Sequence, residues 1–330
     1  MQRIPPISIE AIEAAAERLA GTIVRTPLVP LNVDDAPGEI WLKLENLQPM
    51  GSFKVRGAGN AMAQLTDEQL AGGVYTASAG NMAQGVAWNA RRLGVSCTVV
   101  VPDHAPQTKL DAIERLGGCI EKVSFDTWWQ IIETHEYEGV DGTFVHPVAD
   151  PAVIAGNGTI GLEILEDLPD VDAVVIPFGG GGLSCGIASA IRAHKPDTKI
   201  LAAEVSSAAP LSAALQNGEP TPIDYSRSFV DGIGGKVVLP QMWPLVRELI
   251  DGSLVSSPEA IAAAIGLLVE RNRVVAEGAG AAPVAAALAA SGAEGKMLEG
   301  KVVCVVSGGN LDADKLTAIL EGAVPESLQP

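Results

Sequence analysis

Apolar residues return every three to four positions over residues 8–20 (SIEAIEAAAERLA), behind Ser8 and with Glu10 in the first turn, which predicts a capped amphipathic helix. Residues 39–45 alternate apolar and polar instead and predict a strand. Helices are predicted over 53–65 and 83–93, and the run 73–77 between them is strand-like up to Ser78-Ala79-Gly80-Asn81. Residues 97–102 (CTVVVP) are continuously apolar, as in a strand covered by helices on both faces. The unit then recurs: strand 173–177, helix 183–193, strand 200–204, a long helix near 258–271 and strand 302–306. This alternation predicts parallel sheets with right-handed crossovers. No fixed-period repeat or long linker interrupts it, and the turn-rich stretch 146–151 (HPVADP) is the best candidate for a domain boundary.

Composition narrows the class. A chain of 330 residues, 47% hydrophobic but only 4% aromatic, builds a large core mainly from Ala, Val, Leu and Ile, in one or two domains. The net charge of −18 repels phosphate backbones and anionic lipid, and no basic run offsets it, so neither nucleic acid nor a membrane is an expected partner. Cys97, Cys119, Cys185 and Cys304 are far apart, form no C-x-x-C and sit in or beside apolar segments, which predicts buried thiols in a reducing compartment. The first residues hold no apolar leader, so a cytoplasmic location is expected.

Candidate chemistry lies in four short motifs. Gly179-Gly180-Gly181-Gly182-Leu183 follows an apolar strand and opens a helix, where converging backbone N–H groups can cradle a phosphate; the simpler reading is a tight strand-to-helix turn. Lys54 stands among apolar neighbours at a predicted helix start, where desolvation and the helix dipole disfavour its ammonium form. It is therefore either an amine nucleophile fit for a Schiff base or an ordinary helix-face lysine. Ser78-Ala79-Gly80-Asn81 clusters a hydroxyl, free N–H groups and a carboxamide suited to a carboxylate, and would serve equally as a helix cap. Ser307-Gly308-Gly309-Asn310 puts a hydroxyl at the carboxyl edge of a sheet. Gly156-Asn157-Gly158-Thr159-Ile160-Gly161 satisfies G-x-G-x-x-G, but no clean strand precedes it, so a dinucleotide site is not expected. The four histidines show no metal-ligand spacing, and no G-x-S-x-G elbow is present.

In this order, SFKVRGA at 52–58, SAGN at 78–81, AGNGTIGLE at 155–163, the tetraglycine, EGAG at 277–280 and SGGN at 307–310 resemble the serine/threonine dehydratase and serine racemase family. The resemblance spans nearly the whole chain. It implies a tryptophan synthase β-subunit-like α/β fold: two open twisted parallel-type sheets flanked by helices, a large domain of residues 1–66 and 150–330 that binds pyridoxal phosphate, and a smaller, mobile substrate domain of residues 67–149. It implies the Schiff base on Lys54 and places Phe53 beside the cofactor. Asn81 is expected at the ring's phenolic oxygen, the N–H groups from Gly179 to Leu183 on the phosphate, Glu277 at the cofactor and Ser307 at the pyridine nitrogen. Ser78, Ala79, Gly80, Asn81 and Met82 would hold the substrate, with Ser78 also a candidate proton donor. The implied activity is elimination of water, then ammonia, from a 3-hydroxy amino acid by a cytoplasmic homodimer.

Two positions depart from the family pattern. Met82 follows the asparagine motif where a histidine is common, which suggests a pocket for a bulkier β-substituent such as that of phenylserine. Glu204 and Ala208 stand where some members bind a divalent cation, but Pro210 replaces the second carboxylate, so no metal is expected. The segment 228–235 (SFVDGIGG) also carries extra glycines near the cofactor wall. Racemisation, β-replacement by the same fold, and a ligand-binding protein without catalysis stay open as alternatives.

Overall fold

The computed structural model describes residues 3–34, 38–292 and 298–326. Its strands are β1 (Leu28–Pro30), β2 (Glu39–Lys43), β3 (Val74–Ala77), β4 (Cys97–Pro102), β5 (Cys119–Val123), β6 (Thr143–Phe144), β7 (Ala173–Pro177), β8 (Lys199–Val205), β9 (Gly252–Ser256) and β10 (Lys301–Val305). The helices are α1 (Ile9–Leu19), α2 (Lys54–Met62), α3 (Asp67–Ala71), α4 (Asn81–Leu93), α5 (Gln107–Arg115), α6 (Phe125–Thr134), α7 (Pro151–Asp167), α8 (Gly182–His194), α9 (Pro210–Asn217), α10 (Trp243–Leu249), α11 (Pro258–Leu267), α12 (Gly278–Gly292) and α13 (Ala313–Leu320). Two sheets result. One runs β1-β2-β10-β7-β8-β9, parallel apart from β1; the other runs β5-β4-β3-β6 and is parallel throughout.

The apolar runs follow from burial on both faces. In β7 and β10, Val175 and Cys304 pack toward α11 and α12, while Val174, Ile176, Val303 and Val305 pack toward α1, α7, α8 and α10. The smaller sheet repeats the scheme. Val74, Val99 and Val101 meet α2 and α4 on one side, and Tyr75, Ala77 and Val100 meet α6 on the other. Such strands need no polar face, so the parallel α/β expectation holds.

Several local expectations change. The G-x-G-x-x-G stretch is neither loop nor helix start: α7 begins at Pro151 and runs through it, because Asp150 Oδ1 accepts from Ala152 N and Val153 N and proline suits the first helical position. Its glycines serve packing. A Cβ at Gly156 would lie 2.6 Å from Arg56 O on α2, and one at Gly186 of α8 would lie 2.4 Å from Ile154 O, so these helices sit too close for any side chain. The helix expected over 258–271 stays α-helical only to Leu267, followed by a π turn over Leu268–Asn272 that Arg273 ends in the left-handed region (φ 60°). Cys97, Cys185 and Cys304 are buried as expected, but Cys119 is exposed because β5 is an edge strand. No helix among the described residues is long and apolar enough to cross a membrane.

Candidate active site

The carboxyl ends of β3, β7 and β10 converge on one cavity of about 470 Å³, the edge where open α/β sheets take ligands. From β3 come Ser78, Ala79, Gly80 and then Asn81 and Met82, which start α4; from β7 come Gly179 to Leu183; from β10 comes Ser307; and Phe53, Lys54 and Glu277 complete the wall. All four motifs therefore contribute to the same space, the last of them through Ser307 alone.

Lys54 is the first residue of α2. The loop before it is stitched to the end of β10, with Phe53 N donating to Ser307 O (3.0 Å) and Gly309 N to Gly51 O (2.9 Å). Lys54 Nζ lies 5.2 Å from the Phe53 ring centroid and donates to Pro147 O at 2.7 Å. Burial pushes its ammonium down to about 8, partly opposed by Glu277. Glu277 itself is raised to about 7, by burial first and then by Asp231. Asn81 links the two sheets: its Nδ2 donates to Glu277 Oε1 (2.7 Å) and its Oδ1 accepts from Asn310 Nδ2 (2.8 Å).

Behind Lys54 lies a largely buried ionic cluster, with Lys43, Glu45 and Arg56 fully enclosed and Glu163 at its edge. Arg56 donates through Nε and Nη2 to Glu45 (2.8 and 2.7 Å) and through Nη1 to Glu163 (2.6 Å), and Lys43 Nζ reaches Glu163 and Thr26 O. Burial alone would raise Glu45, but Arg56 holds it below the usual carboxylate range. The cluster pins α2 to β2 and α7, fixing where Lys54 starts.

The glycine turn carries no side chains of its own. Gly181 adopts φ +94°, a region that L side chains avoid, and hands the chain into α8 with no side chain over the helix N-terminus. The backbone of Gly179 to Leu183 and the start of α8 thus line the cavity that Lys54 also lines, an arrangement suited to an anion. An amine of lowered basicity and an anion cradle in one cavity suit a ligand carrying both an aldehyde and a phosphate.

The model of the pyridoxal-phosphate dependent enzyme family matches residues 19–308. The chain belongs to this family. It is a pyridoxal-phosphate-dependent enzyme, and the amine and glycine turn fit that cofactor's two reactive ends. Over 326 residues, 97% of this chain and 80% of the relative, it is 41% identical to an L-threonine ammonia-lyase of Thermotoga maritima. The fold matches maize serine racemase with a TM-score of 0.87 and 32% identity, covering 96% and 98% of the two chains. It matches the processed form of threonine deaminase isoform 2 from Solanum lycopersicum with a TM-score of 0.85 and 34% identity, covering 97% and 96%. Two-sheet α/β architecture and serine/threonine dehydratase and racemase kinship are therefore established together.

Within this family member, two substrate-side expectations are reshaped. Met82 is 2% exposed and packs into the apolar cluster of the smaller sheet with Ala58, Met62 and Val86, so it shapes the cavity from behind. Glu204 is buried and accepts from Leu211 N and Ser212 N at the start of α9 and from Ser253 Oγ, so its oxygens cap a helix. The residues not anticipated are Pro147, whose carbonyl meets Lys54, and the pair Lys109 and Asp231, joined at 2.8 Å across the cavity mouth. Contacts between residues 93 and 122 positions apart leave no signal in a single sequence.

Proposed function

We propose that the enzyme is a carbon–nitrogen lyase that converts L-threonine to 2-oxobutanoate and ammonia. The observation that carries this reading is a lysine of lowered basicity and a glycine-lined anion cradle in one cavity, within a fold and sequence akin to threonine ammonia-lyases. When bound, pyridoxal phosphate supplies an aldehyde for amines and an electron sink that acidifies the substrate α-carbon. The N–H groups from Gly179 to Leu183 would hold the phosphate, and Ser307 at the end of β10 would offer the ring nitrogen a hydroxyl. Phe53 and Glu277 would flank the ring, with Asn81 held between Glu277 and Asn310. Ser78 and the N–H groups from Ala79 to Met82 grip the substrate carboxylate at the start of α4. Lys54 Nζ takes the α-proton, and Ser78 Oγ stands ready to move a proton at the same carbon. Loss of the 3-hydroxyl as water, then hydrolysis of the released enamine, returns one water and frees ammonia, so the net balance is threonine to 2-oxobutanoate plus ammonia.

We also propose that residues 67–149 move against residues 1–66 and 150–330 during turnover, and that the enzyme works as a cytoplasmic homodimer, the setting its resemblance implies. Threonine is expected to lead phenylserine, because Met82 is packed against Ala58, Met62 and Val86 and is not free to make room for a ring. A panel of L-threonine, L-serine, phenylserine and 3-hydroxyaspartate, assayed for 2-oxo acid with the recovered substrate checked for chirality, tests this. L-threonine should show the highest kcat/KM with unchanged chirality in what remains. Phenylserine leading would restore the bulkier-substituent reading, and serine racemised faster than it is deaminated would replace lyase by racemase, an alternative supported by the likeness to racemases such as maize serine racemase.

A further inference from the structure

His146 is buried (2% exposed) in the segment that carries the chain from β6 of the smaller sheet to α7 under the larger one. Its Nδ1 accepts two backbone N–H groups, from Val148 (2.9 Å) and Ala149 (2.7 Å). A nitrogen that accepts twice carries no proton, so the proton is on Nε2, which donates to Ile132 O of α6 at 3.2 Å. Burial first, then the His135 ring 4.4 Å away and the Lys54 ammonium, push His146 down to about 3, while Asp150 lies at the start of α7 beyond the turn. The imidazole is thus neutral and its tautomer fixed at any working pH.

The turn it closes touches both reactive ends of the cavity. Pro147 O receives the Lys54 amine at 2.7 Å. The Val148 side chain fills the space in front of Gly180, 2.6 Å from where a Cβ would stand, and Val148 O lies 2.9 Å from the corresponding position at Gly182. We propose that His146 is a positioning residue for the cofactor: by tying residues 147–149 into one turn, it sets where the Lys54 amine lies relative to the glycine cradle. The hydrogen bond to Pro147 O thus fixes the place of the Lys54 amine at the cavity wall.

The proposal rests on Lys54 as the cofactor lysine. Asparagine offers a side-chain acceptor at the same distance from the backbone as Nδ1 and accepts N–H groups two and three residues ahead in ordinary Asx turns. Phenylalanine fills the volume with no acceptor. The full-length enzyme is resolved of cofactor and recharged with pyridoxal phosphate above the Lys54 value, following the rise of the visible band and then the Tm of the recharged protein. His146→Phe should recapture the cofactor about tenfold more slowly or worse, since small misplacements of reacting groups carry such penalties, and His146→Asn should stay within about threefold of the parent. A folded His146→Phe enzyme that recaptures at the parent rate overturns the proposal, as does a folded His146→Asn enzyme as slow as His146→Phe. Should His146→Phe not fold, His146→Leu, which also lacks the acceptor but is smaller, takes its place and decides in the same sense. Lys54→Ala separates the premise: a visible band in that variant would remove the lysine assignment whatever His146 does.

Discussion

At the scale of single residues, the cavity holds two groups that favour uncharged forms, Lys54 and Glu277. Glu277 binds its proton more tightly in the fold, about 7, than in the unfolded chain at about 4.5. Its contribution to stability is therefore full below the lower value and is lost as pH rises through the higher one. Glu277→Gln keeps an oxygen for Asn81 Nδ2 and removes the titration, so the resolved protein should lose less Tm than the parent between pH about 5 and about 8, by about 2 °C or more. Parallel melting curves would contradict this. For Lys54 the sequence left two readings of equal form, because the same string describes a buried helix start and an exposed one. What separates them is desolvation by residues from three distant parts of the chain.

At the scale of elements, α7 and α8 approach through glycines where a helix would ordinarily carry side chains. Gly186→Ala should destabilise the protein by roughly 1–3 kcal/mol, because the added methyl meets Ile154 O of α7 at 2.4 Å and a backbone atom cannot rotate away. Denaturant unfolding would read the loss, and an unchanged midpoint would show that the helices can separate freely. The strands and helices of both sheets were legible wherever hydrophobicity alone decided: the apolar runs of β4, β7 and β10 and the amphipathic α1 needed no tertiary information. The glycine motif in α7 gives no helix signal in the sequence because intrinsic propensity counts glycine against a helix, whereas here a cap at Asp150 and close packing outweigh it. The stretch from Pro102 to Asp150 was left undivided, since its short edge elements β5 and β6 show only partial burial. Exposed Cys119 belongs to the same weakly patterned edge.

At the scale of the whole molecule, the two sheets meet across the cavity through Asn81 with Glu277 and through Lys109 with Asp231. The second pair is 29% and 49% exposed, worth about 0–1 kcal/mol, which is too little to lock the sheets together but enough to bias their approach. Lys109→Met should leave Tm nearly unchanged and raise KM for the substrate by about two- to fivefold at low salt, with the difference fading near 1 M salt, where screening acts within about 3 Å. A KM difference independent of salt would point to a contact other than this ion pair. The order of strands carries a further meaning for synthesis. The smaller sheet is contiguous, from Val74 to Phe144, whereas β10, last in the chain, is the strand that joins β2 to β7 in the larger one. A ribosome therefore delivers the smaller sheet entire while β2 and β7 still wait with open inner edges, exposed to chaperones and to mispairing. Ser307 and the loop that fixes Lys54 arrive with β10, so the seat for the cofactor is finished only after every other strand of both sheets has been made, and a polypeptide halted before β10 has no means to trap a reactive aldehyde.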